Sequence, residues 1–314
     1  GSTLDQQLGH IAGHFALYTT LVILWVVAAG AVYVWPILSS RVSAPAGRPA
    51  LSLGVGALVA IGVFWVVSAV NVGLVRADII YKQGQQFDNQ RNWISSIELY
   101  RRALEARATE DYYMLFLGRS FLEQAKAVRE QARQGQPEGP YRLSANPDIH
   151  EVLALTPERT SQMGWMELMR AAEVVLTEAQ RINPLNTDHT ANLSRLYRSW
   201  SDLAYDDDAL RREMLDRSID QYNRAVTLSP NAAHLWNEKG NTHLARGERD
   251  LAEQAYLHSL SLDPLFEQTY LLLAEFYDHA QRYEESAALL RQGIAAMDAD
   301  PRFLPTPGMY SYLG

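Results

Sequence analysis

The chain has 314 residues, 47% of them hydrophobic and 20% charged, with 28 Lys and Arg against 36 Asp and Glu and no cysteine. The acidic balance argues against a nucleic-acid partner, which would call for a basic excess, and the lack of Cys excludes a disulfide framework, a thiolate metal site and a cysteine nucleophile. The charge is unevenly spread: residues 1–75 hold only Asp5, Arg41 and Arg48, which leaves 26 basic and 35 acidic groups to the remainder.

In chain order, an N-terminal segment (1–14) precedes two long uncharged runs, 15–38 and 51–75. As a helix, the first would reach about 36 Å, more than the roughly 30 Å of a bilayer's hydrocarbon core. The linker between them holds Pro45, Gly47 and Pro49, so the two runs are expected to form a transmembrane hairpin, and the protein to be a multi-pass component of a bacterial inner membrane. Gly56 and Ala60, then Ala69 and Gly73, put small residues four apart on the second run, a spacing that lets helices approach closely. Asn71, an amide inside that run, would need a partner across the helix contact. Arg41 and Arg48 on one side and Arg76, Lys82 and Arg91 on the other balance each other, leaving the side of the membrane open.

Residues 76–298 read differently, with apolar and small residues recurring at a period of 34. In NAAHLWNEKGNTHLARGERDLAEQAYLHSLSLDP, the residues Trp236, Gly240, Gly247, Ala252, Tyr256 and Pro264 fall in one register. Shifting that register forward selects Tyr270, Leu273, Ala274, Tyr277 and Tyr283. Shifting it back selects copies around Tyr222 and Pro230, around Gly118 and Pro184, and around Gly84 and Tyr100. These residues resemble the tetratricopeptide repeat (TPR) family. The resemblance implies an all-α solenoid of about five helical hairpins, with insertions near 130–164 and 200–212. Small residues such as Gly118, Gly240 and Ala274 would let paired helices approach, and Tyr100, Tyr222 and Tyr256 would fill the space between neighbours. Pro184, Pro230 and Pro264 would stop the second helices. Thr156-Pro157-Glu158 reads as a helix start, with a capping hydroxyl and proline at the first helical position, for a helix running to Ile182. The tail 299–314, with three prolines, is expected to be extended or to lie on a partner.

Motifs for chemistry are sparse. His10 and His14 stand four apart but are read as interfacial hydrogen-bonding groups, and Asp206-Asp207-Asp208 lacks the alternation and following glutamate of a calcium loop. There is no phosphate loop, nucleophile elbow or zinc motif. No catalytic residue, cofactor or metal site is expected, and the chain reads as a non-enzyme.

In the TPR family the first helix of each repeat lines a concave groove. Carrying those positions over selects Arg119, Arg195, Arg198, Asn237 and Asn241 as partner-binding residues, with Asn192 beside the row. An asparagine amide can pair with both N–H and C=O of an extended peptide, and Arg can clamp a carboxylate in bidentate fashion. The alternative is that the arginines pair with Glu123, Asp188, Glu275 or Asp278 inside the same groove. The lysines of the carboxylate-clamp repeats that bind chaperones are missing. RADIIYKQGQ and INPLNTDHTANLSRLYRSW also resemble the C-terminal repeat region of bacterial O-antigen ligase-family membrane proteins. Two expectations follow. The first is a membrane-anchored, non-catalytic scaffold for other membrane proteins; the second is the accessory tail of a lipid-linked glycan transferase whose catalytic region lies elsewhere.

Overall fold

The computed structural model describes residues 75–299 and 307–313, with isolated positions at 20, 21, 24, 25 and 61. The described elements are α-helices, and those up to Asp298 are joined by short turns except between 133 and 165. The chain divides into two compact units, Gly1–Tyr113 and Met114–Gly314.

The transmembrane hairpin is corrected by this structure, and with it the multi-pass inner-membrane localisation. Among the described residues no helix is long and apolar enough to cross a membrane. The long helices are amphipathic rather than greasy: Asp111–Arg133 carries charges in nearly every turn, and Asp208–Leu228 more still. Apart from the isolated positions and Val75, the runs 15–38 and 51–75 lie outside the described residues, as do Gly56, Ala60, Ala69, Asn71, Gly73 and the histidine pair.

In the first unit, α1 (75–89) and α2 (Trp93–Ala106) form a hairpin. Arg91, with φ of 57°, turns the chain, and the Asn92 side chain caps α2 by accepting from the Ser95 N–H. Gly84 faces the buried Tyr100 ring so closely that a Cβ there would stand 2.5 Å from a ring carbon. Gly240 stands in the same relation to Tyr256 in the second unit, at the same distance. In both units glycine is required because a ring occupies the volume of its missing side chain.

The second unit is a run of antiparallel pairs. α3 (Asp111–Arg133) packs on α6 (Trp165–Ile182) at Gly118 and Leu176. Then come α7 (Thr187–Leu203) with α8 (Asp208–Leu228), α9 (Ala233–Arg246) with α10 (Arg249–Leu262), and α11 (Glu267–His279) with α12 (Tyr283–Asp298). Each pair also packs on the next, because a single amphipathic hairpin cannot cover its own apolar face. Pro184, Pro230 and Pro264 each follow the last residue of a second helix by two positions.

Two local expectations change. The chain between α3 and α6 holds α4 (Ile149–Leu153) and α5 (Pro157–Ser161), and its Leu143, Val152, Leu155 and Met163 are buried. Thr156 caps α5 and Pro157 occupies its first turn, yet the helix does not run on to Ile182. The Tyr141 N–H donates to the Gln162 carbonyl at 2.9 Å, tying the chain down there, Met163 turns inward, and α6 starts afresh after Gly164. The tail, expected to be extended, carries α13 (Pro307–Leu313), and its Met309 is fully buried against α11 and α12. Proline at the first position of a helix lacks only an N–H that had no helical partner, so Pro307 starts a helix where an interior proline would break one.

Three helices are joined through a buried polar chain. Asn237 Nδ2 donates to Thr269 Oγ1 at 2.8 Å, Thr269 shares a 3.0 Å contact with Ser259 Oγ, and Ser259 donates to the Ala233 carbonyl at 2.8 Å. Since Ser259 and Asn237 both spend a proton, Thr269 must donate to Ser259. Thr269→Val keeps the shape but leaves the Asn237 amide and Ser259 each short of a partner in a dry site. A loss of about 1–3 kcal/mol is expected in urea unfolding; an unchanged midpoint would show the chain to be without energetic weight.

Candidate partner-binding cleft

The first helices α7, α9 and α11 present one face to a common cleft of about 620 Å³. Three rows cross it. Arg195, Glu238 and Leu272 form one, Arg198, Asn241 and Glu275 the next, and Asp202, Ala245 and His279 the third. Along each helix these positions are three or four apart, the spacing of one helical face. The second helices contribute Tyr222 and Tyr256, whose rings are buried.

Arg195, Arg198, Asn241 and the two tyrosines of the cleft are engaged with neighbouring polar groups. Arg195 donates through Nε and Nη2 to the two oxygens of Glu238, both at 2.8 Å, and Tyr222 OH donates to the same carboxylate at 2.9 Å. Burial works against the charge on Arg195, but the Glu238 carboxylate outweighs it and holds the guanidinium above its ordinary pKa. Arg198 is paired with Asp202 one turn on. Tyr256 OH donates to Asn241 Oδ1 at 2.6 Å. The Tyr222 hydroxyl is pushed well above its usual value by burial and then by the neighbouring Glu238; for Tyr256 the causes are burial and Glu275.

The six residues selected from sequence separate here. Arg195, Arg198 and Asn241 line the cleft. Asn192 donates to the Asp188 carbonyl and accepts from Arg195 at 3.4 Å, supporting the row from behind. Asn237 is buried between helices in the polar chain, and its Oδ1 has no hydrogen-bond partner among the described residues. Arg119 is exposed on α3 and does not line the cleft. The partners of Arg195 and Arg198 are Glu238 and Asp202, not the acids anticipated for them. The repeat register does not select Glu238, Glu275, Tyr222 or Tyr256 as partner-binding residues. The signal that points to them is the recurrence of whole faces, 43 positions from Arg195 to Glu238, rather than of single residues.

A second cleft of about 640 Å³ lies between α6, the segment 145–149 and Arg217 of α8. Its cations serve the fold: Arg170 donates to the Ser144 and Ala145 carbonyls at 2.6 and 2.8 Å and so fastens the insertion, while Arg217 and Tyr197 OH converge on Glu173 at 3.0 and 2.8 Å. Among the described residues no group of three or more His, Asp or Glu is placed to hold a metal ion.

Residues 233–264 match the tetratricopeptide repeat family. Similar solved structures include TTC0263, a thermophilic TPR protein of Thermus thermophilus, which is 17% identical over 75% of this chain and 96% of its own, with a TM-score of 0.47. MamA is 15% identical over 74% of this chain and 98% of its own, with a TM-score of 0.44. YrrB, described as a TPR protein with an unusual peptide-binding site, is 13% identical over 70% and 86%, with a TM-score of 0.38. No curated protein sequence matches the chain. Nothing in these likenesses bears on membrane anchoring or on the O-antigen ligase resemblance. The matched segment spans α9 and α10, the hairpin at the centre of the cleft.

Proposed function

We propose that this chain is a non-catalytic TPR scaffold that grips an extended segment of a partner protein in the cleft of α7, α9 and α11. The observation that carries this reading is the set of three matched rows, whose polar Arg198, Asn241 and Glu275 share the cleft with apolar Leu272, Leu244 and Phe276. An extended peptide presents both apolar side chains and backbone polar groups to such a surface. A non-catalytic role is supported by the state of the polar groups. Tyr222 is held above its ordinary pKa by burial and then by Glu238, and the Glu238 carboxylate has its oxygens in hydrogen bonds to Arg195 and Tyr222.

Panning a random-peptide library against the full chain tests the reading. Enriched peptides should bind the purified protein, and Ser199→Trp, which puts a bulky ring into the cleft, should weaken them at least about tenfold with an unchanged melting temperature. A library that yields no binder, or binders indifferent to Ser199→Trp, would overturn it.

A further inference from the structure

The charges of the cleft bear on which segment it accepts, a step that rests on the function just proposed. Both guanidiniums are already matched. Arg195 has its fork closed on Glu238, and releasing it would strand a carboxylate with 29% side-chain exposure beside the Tyr222 hydroxyl. Arg198 is held by Asp202 and also contacts Ser201 Oγ at 3.3 Å. Glu275 is different. Its side chain is 56% exposed, and its one ion-pair contact among the described residues is His279 Nε2 at 3.8 Å, itself 75% exposed and charged only when protonated. Glu275 is therefore the cleft's unmatched charge, and it is negative.

We propose that the cleft selects a partner segment carrying an arginine or lysine next to an apolar or aromatic side chain, and that it rejects acidic tails. The basic head pairs with Glu275 while its stem and the adjoining apolar group lie along Phe276 and Leu272, which flank Glu275 in the lining. An incoming carboxylate meets Glu275, Asp202 and Glu238 with no uncommitted guanidinium to receive it. Beyond the cleft, the 26 basic and 35 acidic groups of residues 76–314 give a field of the same sign, which draws basic segments in and repels acidic ones.

The peptides enriched on the full chain supply the test. Sequences with Arg or Lys beside an apolar residue should dominate the pool. The leading peptide, resynthesised with its basic residue changed to glutamate, should bind about fivefold more weakly in low salt, the scale of an exposed charge pair, with the gap narrowing as salt rises. Glu275→Gln should shrink that gap while leaving thermal unfolding unchanged. Acidic peptides binding as well as basic ones, or a gap indifferent to Glu275→Gln, would overturn the charge selection and leave the cleft reading standing. A pool with no binder at all would overturn both.

Discussion

Tyr256→Ala is expected to remove about 3–5 kcal/mol of stability, the usual cost of deleting a large buried ring. The Tyr256 ring is 1% exposed, fills the volume left open by Gly240, meets Phe276 edge-on at a centroid distance of 6.2 Å, and ends in the hydrogen bond to Asn241. It therefore joins α9, α10 and α11, and no neighbour can collapse into its place without pulling those helices together. A typical domain holds only about 5–15 kcal/mol in all, so the loss should be visible both in the urea midpoint and as faster hydrogen exchange across α9–α12, since stability in a solenoid passes between neighbours. Tyr256→Phe keeps the ring and should cost about 1 kcal/mol, the worth of a hydrogen bond. If the alanine variant loses no more than the phenylalanine variant, the ring is not the wedge described here.

The same residues show what could be read in the sequence and what could not. Gly240, Tyr256 and Pro264 were legible because close approach, filling and termination each demand one residue type at one spacing, whatever the rest of the chain does. Asn237 misled for a geometric reason. It lies one residue from Glu238, and one residue on a helix is about 100° of rotation, enough to move a side chain from the cleft into the interface with Thr269. The pairing of Arg195 with Glu238 spans 43 positions and exists only once two hairpins have stacked, so no local pattern announces it. At Thr156 the cap was legible because capping is local, but the end of α5 is set by Tyr141 and Gln162, which meet only in the fold. The hairpin expectation failed at a different point. A long run without charges meets one condition for a membrane span without being sufficient for it, and no described helix meets the requirement for length and apolarity together.

Alkaline solution should unfold the chain, with the tyrosines driving it. Tyr197, Tyr222 and Tyr256 are 7%, 2% and 1% exposed, and each is held above its ordinary pKa by burial first and then by a carboxylate: Glu173, Glu238 and Glu275 respectively. In the unfolded chain these hydroxyls ionise near 10. A folded pKa above the unfolded one means that the native state keeps protons the unfolded state has released. Its stabilising share is whole below about pH 10 and is lost as the pH climbs toward the folded values. Each such tyrosine costs about 1.4 kcal/mol for every pH unit in that window, so the three together cost roughly 4. Over a unit or two that rivals the whole stability of a domain. Tyrosinate absorbance from these residues should therefore rise together with the loss of helical circular dichroism, in one cooperative step. Tyr222→Phe removes one such proton from the balance and should make the fall with pH shallower by about 1.4 kcal/mol per unit, even though it also loses the bond to Glu238. Smooth ionisation of all the tyrosines with the helices intact would mean that these rings are wetted in the native protein, and the packing of Tyr222 and Tyr256 behind the cleft would have to be redrawn.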